Sequence, residues 1–189
     1  GVFLTGLTVN GSTAGIAVVA ATDVELERME VSGWELFAAY VGGSASVAGT
    51  RLWVHDADPG PPSAWMEGQG MVVDSGSTLA LKESLVDKAA VSAISAYGKG
   101  TTVSLTQSTV RSTLSGTETE WGVGLLVTSE VSAQVTGSIF DKNFGVAIGV
   151  IGGELTMAES VVASTQFSAE GYARGLEVGD GGEVDIQTS

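Results

Sequence analysis

Leu79–Val86 reads LALKESLV and Val103–Val110 reads VSLTQSTV, and these two octets decide the fold. Both follow one template: apolar, free, apolar, free, free, small or apolar, free, apolar. The octets VFLTGLTV (2–9), VELERMEV (24–31), VAGTRLWV (47–54), AQVTGSIF (133–140) and LTMAESVV (155–162) fit it as well, and VDIQTS (184–189) begins an eighth. Apolar residues alternate with a period near two, which is the pattern of a half-buried strand and not of a helix.

A second apolar element precedes the octets. Val18, Val41, Val73, Tyr97, Val127 and Val178 each lie six residues before an octet start, and Ile148 or Val150 takes that place in the seventh unit. Turn-forming residues separate the two elements, as in GGSAS (42–46), DSGST (74–78), GKGTT (98–102) and GDGGE (179–183). The second elements often open with glycine, as at Gly15, Gly70, Gly124, Gly145 and Gly175.

Octet starts are separated by 22, 23, 32, 24, 30, 22 and 29 residues. The short spacings suit three short strands and three turns per coil, the requirement of a right-handed parallel β-helix. A propeller blade is longer, about 40 residues. The expectation is therefore an all-β, right-handed parallel β-helix of about eight coils over residues 1–189, with 22–24 residues per short coil. The chain reads as a segment of something longer, with neighbouring domains, because it opens and closes inside strand-like patterns.

Stacking coils about 4.8 Å apart turns each octet position into a column. The first column reads Val2, Val24, Val47, Leu79, Val103, Ala133, Leu155, Val184; the third reads Leu4, Leu26, Gly49, Leu81, Leu105, Val135, Met157, Ile186. At about 1.5–3 kcal/mol per fully buried aliphatic side chain, these columns supply much of the stability. The sixth column changes from Leu7, Met29 and Leu52 to Ser84, Ser108, Ser138, Ser160 and Ser189, which predicts an inward hydroxyl ladder at a corner.

All length variation falls between an octet's last residue and the next second element. The long intervals are the third, fifth and seventh, and their loops are 55–69, 111–123 and 163–174. Loops on every second coil avoid crowding at the 4.8 Å spacing. Each carries an aromatic near its end: Trp65, Trp121 and Tyr172, with Phe167 also in the third. Insertions on one side of a repeat scaffold are where function usually sits, so these three aromatics are the candidate ligand-binding residues.

Composition narrows the chemistry. The 189 residues carry 22 Asp and Glu against 8 Lys and Arg, a net charge of −14. Such acidity disfavours nucleic acid and anionic membrane surfaces as partners. The longest apolar runs are too short to span a bilayer, so no membrane insertion is expected. There is no cysteine, hence no disulfide, thiolate zinc site or thiol nucleophile. His55 is the single histidine, and no nucleophile elbow accompanies it. No catalytic residue is assigned.

The outward octet positions concentrate charge only on the second to fourth coils, at Glu25, Glu27, Arg28, Glu30, Arg51, Lys82 and Glu83. Mixed signs there predict salt bridges between coils. Asp87-Lys88 and Asp141-Lys142 place charge pairs at the loop corner. Calcium is the one cofactor the acidity suggests, with Asp56 and Asp58, Asp180 in the turn 179–182, or Glu118 and Glu120 as weak candidate ligands. Threonine rows of the ice-binding kind are not expected, because Thr106, Thr109 and Thr136 read as scattered.

Assembled, the octets, the glycine-opened second elements and the alternating loops resemble the right-handed parallel β-helix (pectate-lyase-like) superfamily. The stretches LTMAESVVASTQ…GYARGLEV (155–178) and FDKNFGVAIGV (140–150) look like the repeats of bacterial secreted and cell-surface β-helix proteins. The resemblance implies an extracellular or cell-surface location and a solenoid scaffold. No catalytic motif of the lyase or hydrolase members maps onto a residue here. The leading expectation is a non-enzymatic scaffold, adhesion or recognition module, with carbohydrate or another surface protein as partner. The alternative is a carbohydrate-active enzyme, or a fragment of one, using Asp56, Asp58, Glu67, Glu118, Glu120 and Glu170.

Overall fold

The computed structural model describes residues 1–58, 67–115, 122–168 and 171–187. Among them are twenty-two strands in three sheets, every pairing is parallel, and no helix occurs. Each coil contributes one strand to each sheet, as Val24–Glu27, Glu30–Ser32 and Phe37–Gly42 do in the second coil. Seven coils are complete, and Glu183–Gln187 adds an eighth strand to the first sheet. The protein is a parallel β-helix.

The first sheet holds the leading half of every octet in the expected register. Val2 lies beside Val24, Val24 beside Val47, Val47 beside Leu79, and the column continues through Val103, Ala133 and Leu155 to Val184. Its internal members are buried, from Leu79 at 0 % exposed to Val24 at 4 %. Gly49 leaves a gap in the third column that Leu52 of its own coil and Leu81 of the next fill: an added β-carbon there would meet Leu52 Cδ1 at 2.6 Å and Leu81 Cδ2 at 2.8 Å. Thr106 and Thr136 are register neighbours in this sheet, beside Lys82 and Ala158, while Thr109 belongs to the second sheet.

The serine column is a ladder, but its rungs run through backbone amides and not from hydroxyl to hydroxyl. The Leu52 amide donates to Ser84 Oγ (3.1 Å), Ser84 to Ser108 Oγ (3.2 Å), Ser108 to Ser138 Oγ (3.1 Å) and Ser138 to Ser160 Oγ (3.0 Å). Each hydroxyl in turn donates to the carbonyl two residues earlier in its own coil, as Ser108 does to Thr106 (3.0 Å). Ser189 lies outside the described residues.

This arrangement follows from the turn that precedes it. Gly6, Arg28, Arg51, Glu83, Gln107, Gly137 and Glu159 all take the left-handed conformation, with φ between +50° and +65°. The reversal leaves the next amide directed along the solenoid axis, where a small inward oxygen can accept it.

The third sheet differs from the sequence reading at two coils. Ala96, and not Tyr97, stands beside Val73 and Val127, because the turn from Tyr97 to Thr101 holds one residue more than its counterparts. Val150 occupies the same column in the seventh unit. Gly145 opens its strand beside Gly122, so the glycine-like position of that coil is Ala147, just before Ile148. Corrected in this way, the column reads Gly15, Ala38, Gly70, Ala93, Gly124, Ala147, Gly175, a strict alternation of two coils. A β-carbon on Gly15, Gly70 or Gly124 would collide with the carbonyl oxygen of the alanine one coil on.

The third sheet is also buried on both faces in its central coils. Val72 and Ser95 alternate with inward Met71, Val73, Ile94 and Ala96, yet they are 2 % and 0 % exposed. The protein covers its own outer surface there. No helix among the described residues is long and apolar enough to cross a membrane.

Candidate recognition surface

The long loops leave the second sheet at a corner built the same way in every coil. Gly11, Gly33, Asp56, Lys88, Ser112, Lys142 and Ser164 follow directly after its strands, and all are left-handed, with φ between +53° and +65°. Short coils reach the third sheet within a few residues; the third, fifth and seventh do not. Leu114 and Gln166 still bridge to Ala90 and Phe144 of the preceding coil, so these loops track the scaffold before departing.

His55 is the last residue of the strand Trp53–His55, at the edge of the first long loop. Its Nε2 lies 3.1 Å from Glu30 Oε1 one coil back, and its Nδ1 lies 2.8 Å from Asp56 Oδ2. Lys88, one coil on, donates to Asp56 Oδ1 at 2.7 Å. The hydrogen bond from Lys88, and then that with His55, holds the Asp56 carboxyl below the ordinary carboxylate range; the same bond raises Lys88. Arg111 donates to Asp87 Oδ2 at 2.9 Å, and Asp87 raises the already basic guanidinium further. The ion pairs at this corner form between coils, Lys88 with Asp56 and Arg111 with Asp87, and not within the expected adjacent pair Asp87-Lys88.

The charged strip on the other octet face is partly as read. Arg51 and Arg28 both pair with Glu27, and Lys82 pairs with its neighbour Glu83 at 3.6 Å. Of these, Arg51 to Glu27 links two coils.

Tyr172 is the one expected aromatic within the described residues; Trp65 and Trp121 lie outside them, as do Glu118, Glu120 and Glu170. Hydrogen bonds tie Tyr172 to Ser168. Ser168 donates its amide to the Tyr172 carbonyl (2.7 Å), and the Tyr172 amide donates to Ser168 Oγ (3.0 Å). The Arg174 guanidinium sits 4.6 Å from the ring centroid and also binds Glu177. Tyr172 remains 45 % exposed and Phe167 71 % exposed.

Asp56 is committed to Lys88 and His55, Asp58 is exposed, Glu67 is buried, and Asp180 is exposed in the turn 179–182. Among the described residues no three His, Asp or Glu side chains are grouped to hold a metal ion.

The sequence reading passed over Trp53. It occupies a free octet position and projects outward, 47 % exposed, with its ring stacked on His55 at 4.0 Å between centroids. The signal was present: residues two apart on a strand share a face, so Trp53 and His55 had to be neighbours. No protein-family model matches the chain, and no curated protein matches it in sequence.

Proposed function

We propose that this protein is a non-catalytic recognition or adhesion module of the pectate-lyase-like β-helix kind, working at a bacterial cell surface or in the extracellular space. The observation that supports it most is the presentation of Tyr172. Two hydrogen bonds with Ser168 hold the Tyr172 main chain and the Arg174 guanidinium lies over its ring, while nearly half of the residue stays open to solvent. An aromatic ordered before binding gives up little conformational entropy on contact, which is what a recognition site requires. The partner would be a carbohydrate or another surface protein. Of the carboxylates of the enzyme alternative, Asp56 is paired with Lys88 and Glu67 is buried, while Asp58 is exposed and Glu118, Glu120 and Glu170 lie outside the described residues.

Glycan and surface-protein arrays probed with the wild-type chain and with Tyr172→Ala test the proposal. Binding that Tyr172→Ala weakens supports it. Binding that the substitution leaves untouched removes the loop corner as the working surface, and turnover of a bound polysaccharide overturns the non-catalytic reading.

A further inference from the structure

The outer face of the second sheet carries a surface independent of the loops. One outward column runs Glu30, Trp53, Leu85, Thr109, Ile139, Val161. Trp53, Ile139 and Val161 are 47 %, 44 % and 53 % exposed, with Leu85 and Thr109 half-buried between them. The five apolar or methyl-bearing members lie on consecutive strands, four steps of about 4.8 Å, so the stripe is about 19 Å long and one residue wide. Mostly polar residues rim it: Arg51, Glu83, Gln107 and Glu159 on one side, His55, Asp87, Arg111 and Asp141 on the other. The anchor is already ordered, because Trp53 stacks on a histidine that Glu30 and Asp56 hold at both ring nitrogens.

Size and charge select the occupant. A stripe this narrow is far short of the roughly 800 Å² per partner that a stable globular interface buries. It matches one α-helix, about 10–12 Å across, of which about 13 residues span 19 Å. Side chains at i, i+3, i+4 and i+7 recur every 5–6 Å or so along a helix, close to the coil spacing, so each helical turn meets one coil. The protein carries a net charge of −14, and seven of its eight Lys and Arg side chains already lie in ion pairs. At the rim itself Glu83, Asp87, Asp141 and Glu159 outnumber Arg51 and Arg111, so the surplus charge there is negative. We infer that this stripe docks an amphipathic, lysine- or arginine-rich α-helix of another protein, lying along the solenoid axis with its apolar side on Trp53, Leu85, Ile139 and Val161.

The probe is a labelled synthetic peptide of about 18 leucines and lysines with leucine at i, i+3, i+4 and i+7, titrated into the chain by fluorescence anisotropy. Trp53→Ala and Ile139→Lys are each expected to weaken binding about tenfold or more. Val19→Lys, at an equally exposed apolar site on the third sheet, should leave it unchanged. All three positions face solvent, and urea midpoints check that the variants stay folded, with Trp53→Phe as the milder change. Equal binding by stripe variants and wild type overturns the inference by reducing it to bulk charge. So does equal binding of a peptide in which leucine and lysine alternate. Self-association of the wild-type chain in sedimentation, abolished by Ile139→Lys, replaces the helix with a second copy and overturns it too.

Discussion

A β-carbon built on Gly70 would fall on the carbonyl oxygen of Ala93, one coil further on. Backbone meets backbone at this bend, and neither side can rotate away. Gly70→Ala is therefore expected to cost about 2–4 kcal/mol, read as a fall in the urea midpoint at constant slope. The reverse exchange, Ala93→Gly, removes a buried methyl and loosens the unfolded chain, costing about 1 kcal/mol. Equal costs for the two would mean that the alternation of glycine and alanine has no steric origin.

Gly49 and Leu52 share one volume in the core. The glycine leaves space in its column, and the Leu52 side chain occupies it. Leu52→Ala alone should open a cavity and cost about 2–5 kcal/mol. Gly49→Val alone should overpack the site by about 1–3 kcal/mol, since the obstructing atoms are flexible leucine termini and not backbone. Combined, the two changes exchange one filler for another, and the double mutant should be more stable than the sum of the single costs predicts by about 1 kcal/mol or more. Strict additivity in that cycle would show that the two positions do not compensate.

The columns of the first two sheets were legible because side chains alternate there with a period of two, and apolar residues mark the inward strand positions from Val24 to Met157 with Gly49 as the exception. The corner turns were not legible. Left-handed φ ordinarily announces itself as glycine, but here Arg28, Arg51, Glu83, Gln107 and Glu159 adopt it, so the residue type gives no warning. One register in the third sheet failed for a related reason, while Val150, one of the two residues offered for its column, does stand in it. A turn with one residue more moved Tyr97 out of its column, and Ala147 stood where glycine was sought. Counting from a single landmark cannot see a turn that changes length. Tyr172 was readable as a loop aromatic; Trp53 was hidden inside a repeat whose free positions had been treated as uninformative.

Ser108 occupies the middle of the serine ladder. Its hydroxyl accepts the Ser84 amide and donates to the Thr106 carbonyl, and it is buried. Ser108→Ala removes the acceptor and leaves a buried N–H without a partner, at a cost of about 1–3 kcal/mol. The Ser84 amide should also exchange with solvent faster, while the Ser138 amide, bonded to Ser160, keeps its protection. Unchanged protection at Ser84 would show that the amide finds another acceptor and that the ladder is not a stabilising device.

Asp56 and Lys88 tie the third coil to the fourth where the first long loop departs. The Asp56 carboxyl has a folded-state pKa below its ordinary value, chiefly through the hydrogen bond from Lys88. A depressed carboxylate contributes stability that is complete above its unfolded pKa, about 3.9, and is lost as pH falls through the lower folded value. Lys88→Met should therefore lower the urea midpoint slightly at neutral pH. The deficit should hold down to about pH 5 and close as the solution is acidified below about pH 4. Both side chains are about half exposed, so the effect is small and should shrink in 1 M salt. A deficit that persists undiminished at pH 2 and in high salt would locate the contribution of Lys88 in the packing of its aliphatic stem and not in its charge.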